Sequence, residues 1–173
     1  RLADSVSMTK SLAIFGATGS IGASTLDLVR RHPDLYRASV LTAHSNVEVM
    51  AQLINEFAPD LVVMSDQRAA MQLRTRMARS IEILAGDEGL VDAAEAPYDM
   101  MVAAIVGFAG LAPTYKALQL GKDVALANKE ALVCAGKLMM DAAAASGAKI
   151  LPVDSEHNAI FQCLPHDFTY GEL

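Results

Sequence analysis

The 173-residue sequence contains no tryptophan, and only 5% of its residues are aromatic. Platforms for single-stranded nucleic acid set aromatic rings among Lys and Arg, and no such stripe occurs here. The charge balance agrees: 14 Lys and Arg stand against 20 Asp and Glu, a net charge of −6. That is the wrong sign for a protein that tracks a phosphate backbone, so nucleic acid is not an expected partner. There are two cysteines, Cys134 and Cys163. Their spacing suits neither a zinc site nor a redox pair, and they read as reduced thiols of an intracellular protein. No apolar run approaches the ~20 residues of a membrane span, so no membrane partner is expected. The opening "RLADSVSMTK" lacks the apolar core of a signal peptide, and residues 1–10 read as a leader or cloning remnant.

What is abundant is small and branched aliphatic sequence: 53% of residues are hydrophobic. A chain of this length and apolarity can bury one sizeable core. Apolar runs recur as strands at 11–16, 38–44, 60–65, 81–86, 98–107, 123–128 and 148–154. Helical patterns separate them: Ser20 to about Pro33, 47–57, near 66–78, 87–95, 111–120, and a long helix at 129–146. Strands that are apolar throughout suit a parallel sheet covered on both faces. The strand–helix alternation predicts an α/β, Rossmann-like, doubly wound, mostly parallel sheet. At about 100° per residue, helix 129–146 places Glu130, Lys137 and Asp141 on one face, with Leu132, Ala135, Met139 and Ala142 opposite. It is expected to lie on the sheet.

"FGATGSIG" (15–22) falls where the first strand turns into the first helix. Gly16, Gly19 and Gly22 follow a G-x-x-G-x-x-G spacing, a variant of the dinucleotide fingerprint. Gly16 would permit the tight turn, Gly19 the approach of a pyrophosphate, and Gly22 the packing of helix on strand. The N–H groups near Ser20 and Ile21 would then face the anion along the helix dipole. The competing reading is a glycine-rich turn with a Ser20 cap and no ligand. After the second strand, where NAD sites carry a carboxylate for the ribose 2′-hydroxyl, stand His44, Ser45 and Asn46. With no carboxylate to repel a 2′-phosphate, NADP is favoured over NAD. The bland alternative for His44 is a surface loop histidine.

Ligands of open α/β sheets lie beyond the carboxyl ends of the strands. "GKDVALANKEALVCAG" (121–136) puts Asn128, Lys129 and Glu130 at such an end. Lys129 suits an anionic substrate or a carbonyl, and Asn128 a nicotinamide ribose or carboxamide. Equally, Asn128 is a helix cap and Glu130 a first-turn acid. In "KILPVDSEHNAIFQ" (149–162), Asp154 and Glu156 lie two apart, on one side of an extended backbone. Two hard oxygen donors suit Mg²⁺ or Mn²⁺. Taken alone, the stretch reads rather as a helix cap at Asp154 or Ser155, with Glu156 in the first turn. His157 and Asn158 read as structural, orienting the carboxylates.

"GATGSIG", "AAIVGFAGL", "LANKEALVCAG" and "LPVDSEHNAIFQ", in this order and spacing from about Ser11 to Leu164, resemble the 1-deoxy-D-xylulose 5-phosphate reductoisomerase family. The resemblance implies rearrangement of that sugar phosphate and NADPH-dependent reduction to 2-C-methylerythritol 4-phosphate, in the non-mevalonate isoprenoid pathway. It further implies a divalent cation (Mg²⁺ or Mn²⁺) and inhibition by fosmidomycin-type phosphonohydroxamates. A homodimer in the bacterial cytoplasm or plastid stroma is implied as well. Matched position by position, Thr18, Gly19, Ser20 and Ile21 correspond to the pyrophosphate loop, and Ser45 and Asn46 to the 2′-phosphate region. Asn128 and Glu130 correspond to further cofactor contacts. Lys129 and Ser155 correspond to substrate contacts, and Asp154 and Glu156 to metal ligands, Glu156 also facing the substrate. Residues 11–153 then form the NADPH-binding domain, and 154–173 the start of a catalytic domain.

Two departures stand out. His44 and Ser45 replace the glycine and basic residue of many members, and the family is more than twice as long as this chain. The resemblance therefore implies nucleotide binding without turnover by these residues alone. The competing readings are a homoserine dehydrogenase-like domain, which also carries "ANK" after a Rossmann strand, and a non-catalytic NADP-sensing module.

Overall fold

The computed structural model describes residues 9–78, 80–127 and 129–153, except for the side chain of Lys129. Seven strands form one sheet: β1 (Lys10–Phe15), β2 (Tyr36–Ala43), β3 (Leu61–Met64), β4 (Glu82–Ala85), β5 (Met100–Ala103), β6 (Asp123–Leu126) and β7 (Ile150–Pro152). Their order is β4-β3-β2-β1-β5-β6-β7, and every pair is parallel. Strand order therefore reverses between β1 and β5. A sheet of this kind opens a crevice at that switch point, beyond the carboxyl ends of its strands.

Six α-helices connect the strands: α1 (Ser20–Arg31), α2 (Val47–Phe57), α3 (Gln67–Arg76), α4 (Gly86–Ala93), α5 (Leu111–Gln119) and α6 (Lys129–Ser146). Alternate strand residues point to opposite faces, and two buried clusters result. One gathers Ile14, Leu26, Leu41, Met50, Ile54 and Leu73 beneath α1–α3. The other gathers Phe15, Val63, Leu90, Met101, Leu118 and Met139 beneath α4–α6. The strand interiors are mostly apolar because both faces are covered, with Ser39 and Thr42 of β2 the buried polar exceptions.

α2 starts at Val47 because Asn46 caps it, its side chain accepting from the Val49 N–H at 3.1 Å. Asp66 caps α3 in the same way through Ala69 N–H at 2.7 Å. α1 differs. Its cap position is Gly19, whose missing side chain leaves the first turn without a side-chain acceptor. Ser20 is the first helical residue, so the Ser20 cap weighed against a nucleotide loop is not formed.

Two elements depart from the sequence pattern. β5 covers only Met100–Ala103, not the apolar run 98–107. Beyond it Gly107 turns with φ +77°, and a 3-10 helix, Phe108–Gly110, leads into α5. α6 keeps the predicted amphipathic faces, with Met139 buried and Glu130, Lys137 and Asp141 exposed. It is broken, however, at Ala135 (φ −136°, ψ 21°), next to Gly136, where small residues offer little resistance to a kink.

Candidate nucleotide-binding site

The glycine loop is held by β2 before any ligand is considered. Gly16 N–H donates to the backbone oxygen and the side-chain Oγ1 of Thr42, at 3.2 and 3.1 Å, and Ala17 N–H donates to Thr42 O at 2.8 Å. Thr42 is fully buried, so its hydroxyl can be kept inside only with such a partner. Gly16 adopts φ +97°, and a Cβ there would sit 2.7 Å from Ala104 O of the loop after β5. A glycine is thus required twice over, by conformation and by space.

Gly19 N–H closes the turn onto Gly16 O at 3.1 Å. A Cβ on Gly19 would meet nothing nearer than Gly16 O at 3.4 Å, so the protein itself tolerates a side chain there. The absence of one keeps the approach to the α1 N-terminus open. With the first-turn N–H groups uncapped and the helix dipole behind them, this end favours an anion.

The loop faces a cleft of about 370 Å³, lined by Gly16, Thr18, Gly19, His44, Ser65 and Ile105, among others. A hollow of about 450 Å³ opens on the opposite rim, between Asp60, Glu82, Asp92 and Glu95. Its carboxylates would repel a phosphate, so the smaller cleft is the better nucleotide candidate despite its volume. Among the described residues no carboxylate lines the cleft at the end of β2; His44 stands there, with its Nδ1 2.8 Å from Ser65 Oγ. The donor set therefore fits a dinucleotide carrying a 2′-phosphate.

The structure brings Gly16, Thr18, Gly19 and His44 together on the cleft, with Ser20 and Ile21 in the adjoining first turn of α1. Ser45 and Asn46 follow His44 as exposed residues, and Asn46 spends its side-chain oxygen on the α2 cap. Glu130 is exposed in the first turn of α6, which begins at Lys129. Asn128, Asp154, Ser155, Glu156, His157 and Asn158 lie outside the described residues. Among the described residues, no three His, Cys, Asp or Glu side chains group to hold a metal.

Thr42 and Ser65 have no counterpart in the sequence reading, and the Ala104–Val106 loop enters it only within the motif "AAIVGFAGL", with no role at the site. Thr42 and Ser65 carry no motif, although the carboxyl-end rule applied to β3 points to Ser65.

The fold and cleft define a class: a Rossmann-type α/β domain with a phosphate-receptive glycine loop at its switch point. Comparison with known proteins narrows it. A profile of 1-deoxy-D-xylulose 5-phosphate reductoisomerase matches residues 12–136, and the chain belongs to that family. The Acinetobacter baumannii (strain SDF) enzyme of that name is 50% identical over 170 residues, covering 95% of this chain and 42% of the relative. The chain thus spans about two fifths of the length of such relatives. Among solved structures, the Zymomonas mobilis reductoisomerase in complex with NADPH superposes with a TM-score of 0.88 at 48% identity, over 91% of this chain and 42% of that one. A reductoisomerase in complex with NADPH, fosmidomycin and magnesium gives 0.87 at 48% identity, over 91% of this chain and 39% of that one. Family membership displaces the homoserine dehydrogenase reading. No helix among the described residues is long and apolar enough to cross a membrane.

Proposed function

We propose that this chain supplies the NADPH-binding part of an enzyme converting 1-deoxy-D-xylulose 5-phosphate to 2-C-methyl-D-erythritol 4-phosphate. The observation that carries the reading is the Gly16–Gly19–Gly22 cradle at an uncapped helix N-terminus, in a chain half identical to reductoisomerases. When bound, NADPH supplies the reducing equivalents, and a divalent cation, Mg²⁺ or Mn²⁺, supplies Lewis acidity.

The residues of the chain take the following roles. Backbone N–H groups of Thr18, Gly19, Ser20 and Ile21 receive the pyrophosphate, with Gly16 shaping the turn. His44, Ser45 and Asn46 meet the adenosine ribose and its 2′-phosphate. Asn128 and Glu130 contact the cofactor further along the crevice. Lys129 neutralises the anionic substrate, Ser155 hydrogen-bonds it, and Asp154 and Glu156 offer hard oxygen donors to the cation. Residues 11–153 act as the cofactor domain, and 154–173 open the catalytic part. The protein works as a homodimer in the cytoplasm or plastid stroma, and fosmidomycin-type chelators inhibit it by engaging the same cation.

The test is NADPH binding, followed by the rise in cofactor fluorescence on excitation of the reduced nicotinamide. Asp154→Asn in the protein that carries this chain is expected to abolish metal-dependent turnover while NADPH still binds. Loss of both would point to a structural aspartate; turnover that persists in chelator would sink the metal assignment.

A further inference from the structure

We propose that the buried hydroxyl of Thr42 is a positioning group for the glycine loop. It fixes the backbone about Gly16 in the form that receives the cofactor pyrophosphate, and so raises NADPH affinity without touching the cofactor. The proposal rests on the nucleotide reading given above and extends it to a residue inside the sheet.

Thr42 is fully buried on β2, where valine would have the same shape and no hydroxyl to desolvate. Its ladder neighbours, Phe15 on β1 and Val63 on β3, are both apolar. A hydroxyl held there is costly unless something pairs with it. Gly16 N–H does so, donating to Thr42 Oγ1 at 3.1 Å. The same N–H also reaches Thr42 O at 3.2 Å, but that carbonyl already takes Ala17 N–H at 2.8 Å. The hydroxyl is thus the acceptor that Gly16 does not share with Ala17.

A register shift brings this hydroxyl to the loop. Leu12 pairs with Ala38 and Ala13 with Val40, so Ser39 is an extra residue in β2. The Ser39 hydroxyl, also buried, donates to Leu12 O at 3.2 Å. Without the extra residue, Leu41 and not Thr42 would stand opposite Phe15. The two buried hydroxyls of β2 therefore act in series: Ser39 secures the bulge, and the bulge presents Thr42 to Gly16.

Thr42 grips the chain on both sides of its loosest residue. Its hydroxyl anchors the peptide before Gly16, and its carbonyl anchors the peptide after it, through Ala17 N–H. Gly16, at φ +97° and without a Cβ, has little of its own to hold that conformation. The second peptide carries Gly16 O, which accepts Gly19 N–H at 3.1 Å and lies against Gly22 at the start of α1. The orientation set at Thr42 is thereby passed to the helix end that faces the cleft. With the hydroxyl removed, Gly16 samples other orientations in the free protein. The ligand then binds the remaining competent fraction, and its apparent affinity falls by that fraction.

The experiment uses the protein that carries this chain. NADPH is titrated through its fluorescence. 2′-AMP, which has the ribose and its 2′-phosphate but no pyrophosphate, is measured by competition against it. Thr42→Val keeps the shape and removes the acceptor; NADPH is expected to weaken about five- to tenfold, the scale of one hydrogen bond, with 2′-AMP nearly unchanged. Thr42→Ser is expected to recover most of the NADPH affinity, and Thr42→Ala is not. Serine and alanine both lack the threonine methyl, so their ratio isolates the hydroxyl even if Thr42→Val packs badly. Equal losses of NADPH and 2′-AMP, unchanged NADPH affinity in Thr42→Val, or indistinguishable Thr42→Ser and Thr42→Ala would overturn the proposal while NADPH binding by the unsubstituted protein stands. Failure of the unsubstituted protein to bind NADPH would overturn the underlying site as well.

Discussion

Gly22 sits against the carbonyl of Gly16: a Cβ on Gly22 would lie 2.3 Å from Gly16 O and 2.6 Å from Ala17 Cα. Both neighbours are backbone, already tied to Thr42 on β2, so neither can yield without moving the loop. Gly22→Ala is expected to cost about 1–3 kcal/mol, the range of overpacking. Gly19→Ala meets no such obstacle within the protein. It should leave the thermal midpoint nearly unchanged while weakening NADPH. Melting curves and cofactor titrations of the two variants separate the glycine required by the fold from the glycine required by the ligand.

The Asn46 side-chain oxygen caps α2, and the role proposed for Asn46 sets it beside the cofactor 2′-phosphate. Asn46→Asp keeps an acceptor for Val49 N–H, and a carboxylate suits a helix N-terminus. Stability should hold, while NADPH weakens more than NADH because the new charge faces the 2′-phosphate. Asn46→Ala removes the cap and should cost about 1 kcal/mol.

The Asp99 carboxylate accepts from Ser11 N–H at 2.7 Å and from Ser11 Oγ at 2.9 Å, joining the start of β1 to the approach to β5. These bonds, first from the backbone and then from the hydroxyl, hold the carboxyl below its ordinary range. Folding therefore favours the charged form. The contribution is complete above the unfolded value of about 3.9 and is lost as pH falls through the lower, folded value. Asp99→Asn should lower stability at neutral pH by about 1 kcal/mol, a figure reduced for the group's exposure. Melting temperatures of the two proteins should converge in acid; a constant gap would refute the linkage.

Tyr98 is buried, with its hydroxyl donating to Ala94 O at 2.9 Å and the Lys122 ammonium 3.7 Å from its ring centroid. Burial pushes the phenol well above its ordinary value. In the unfolded chain it ionises at about 10, so the folded state binds the extra proton and stability falls as pH rises past that point. Tyr98→Phe should flatten this alkaline limb, at the expense of one buried hydrogen bond near neutrality. Denaturant midpoints from about pH 8 to 11 measure both effects.

Much of the fold was legible because its local signals agree with its tertiary ones. Asn46 followed by apolar residues at helical spacing marks α2, and the observed bounds are those the pattern implies. The glycine spacing likewise locates the loop, and the structure supplies a steric reason for Gly16 and Gly22. The overextended β5 has a different origin. Ile105 and Val106 continue the apolar run yet leave the sheet to line the cleft, with Val106 86% exposed. Hydrophobicity used at a ligand surface looks the same in sequence as hydrophobicity used in a core. Ser65 escaped notice for the opposite reason, since one hydroxyl at a strand end has no pattern until β3 is set beside β2. The break at Ala135 is harder to read, because alanine favours a helix and the adjoining Gly136 permits a kink without requiring one.

That break divides α6 into two cooperative units. The segment beyond it is anchored by Met139 and Ala143, both buried, whereas the segment before it has Ala131 as its buried anchor. Amide hydrogens of residues 130–134 should exchange with solvent ahead of those at 138–146, because the first turns can open without disturbing the core beneath the second. Glu130 thus lies on a segment expected to open at its own free energy while the sheet stays intact.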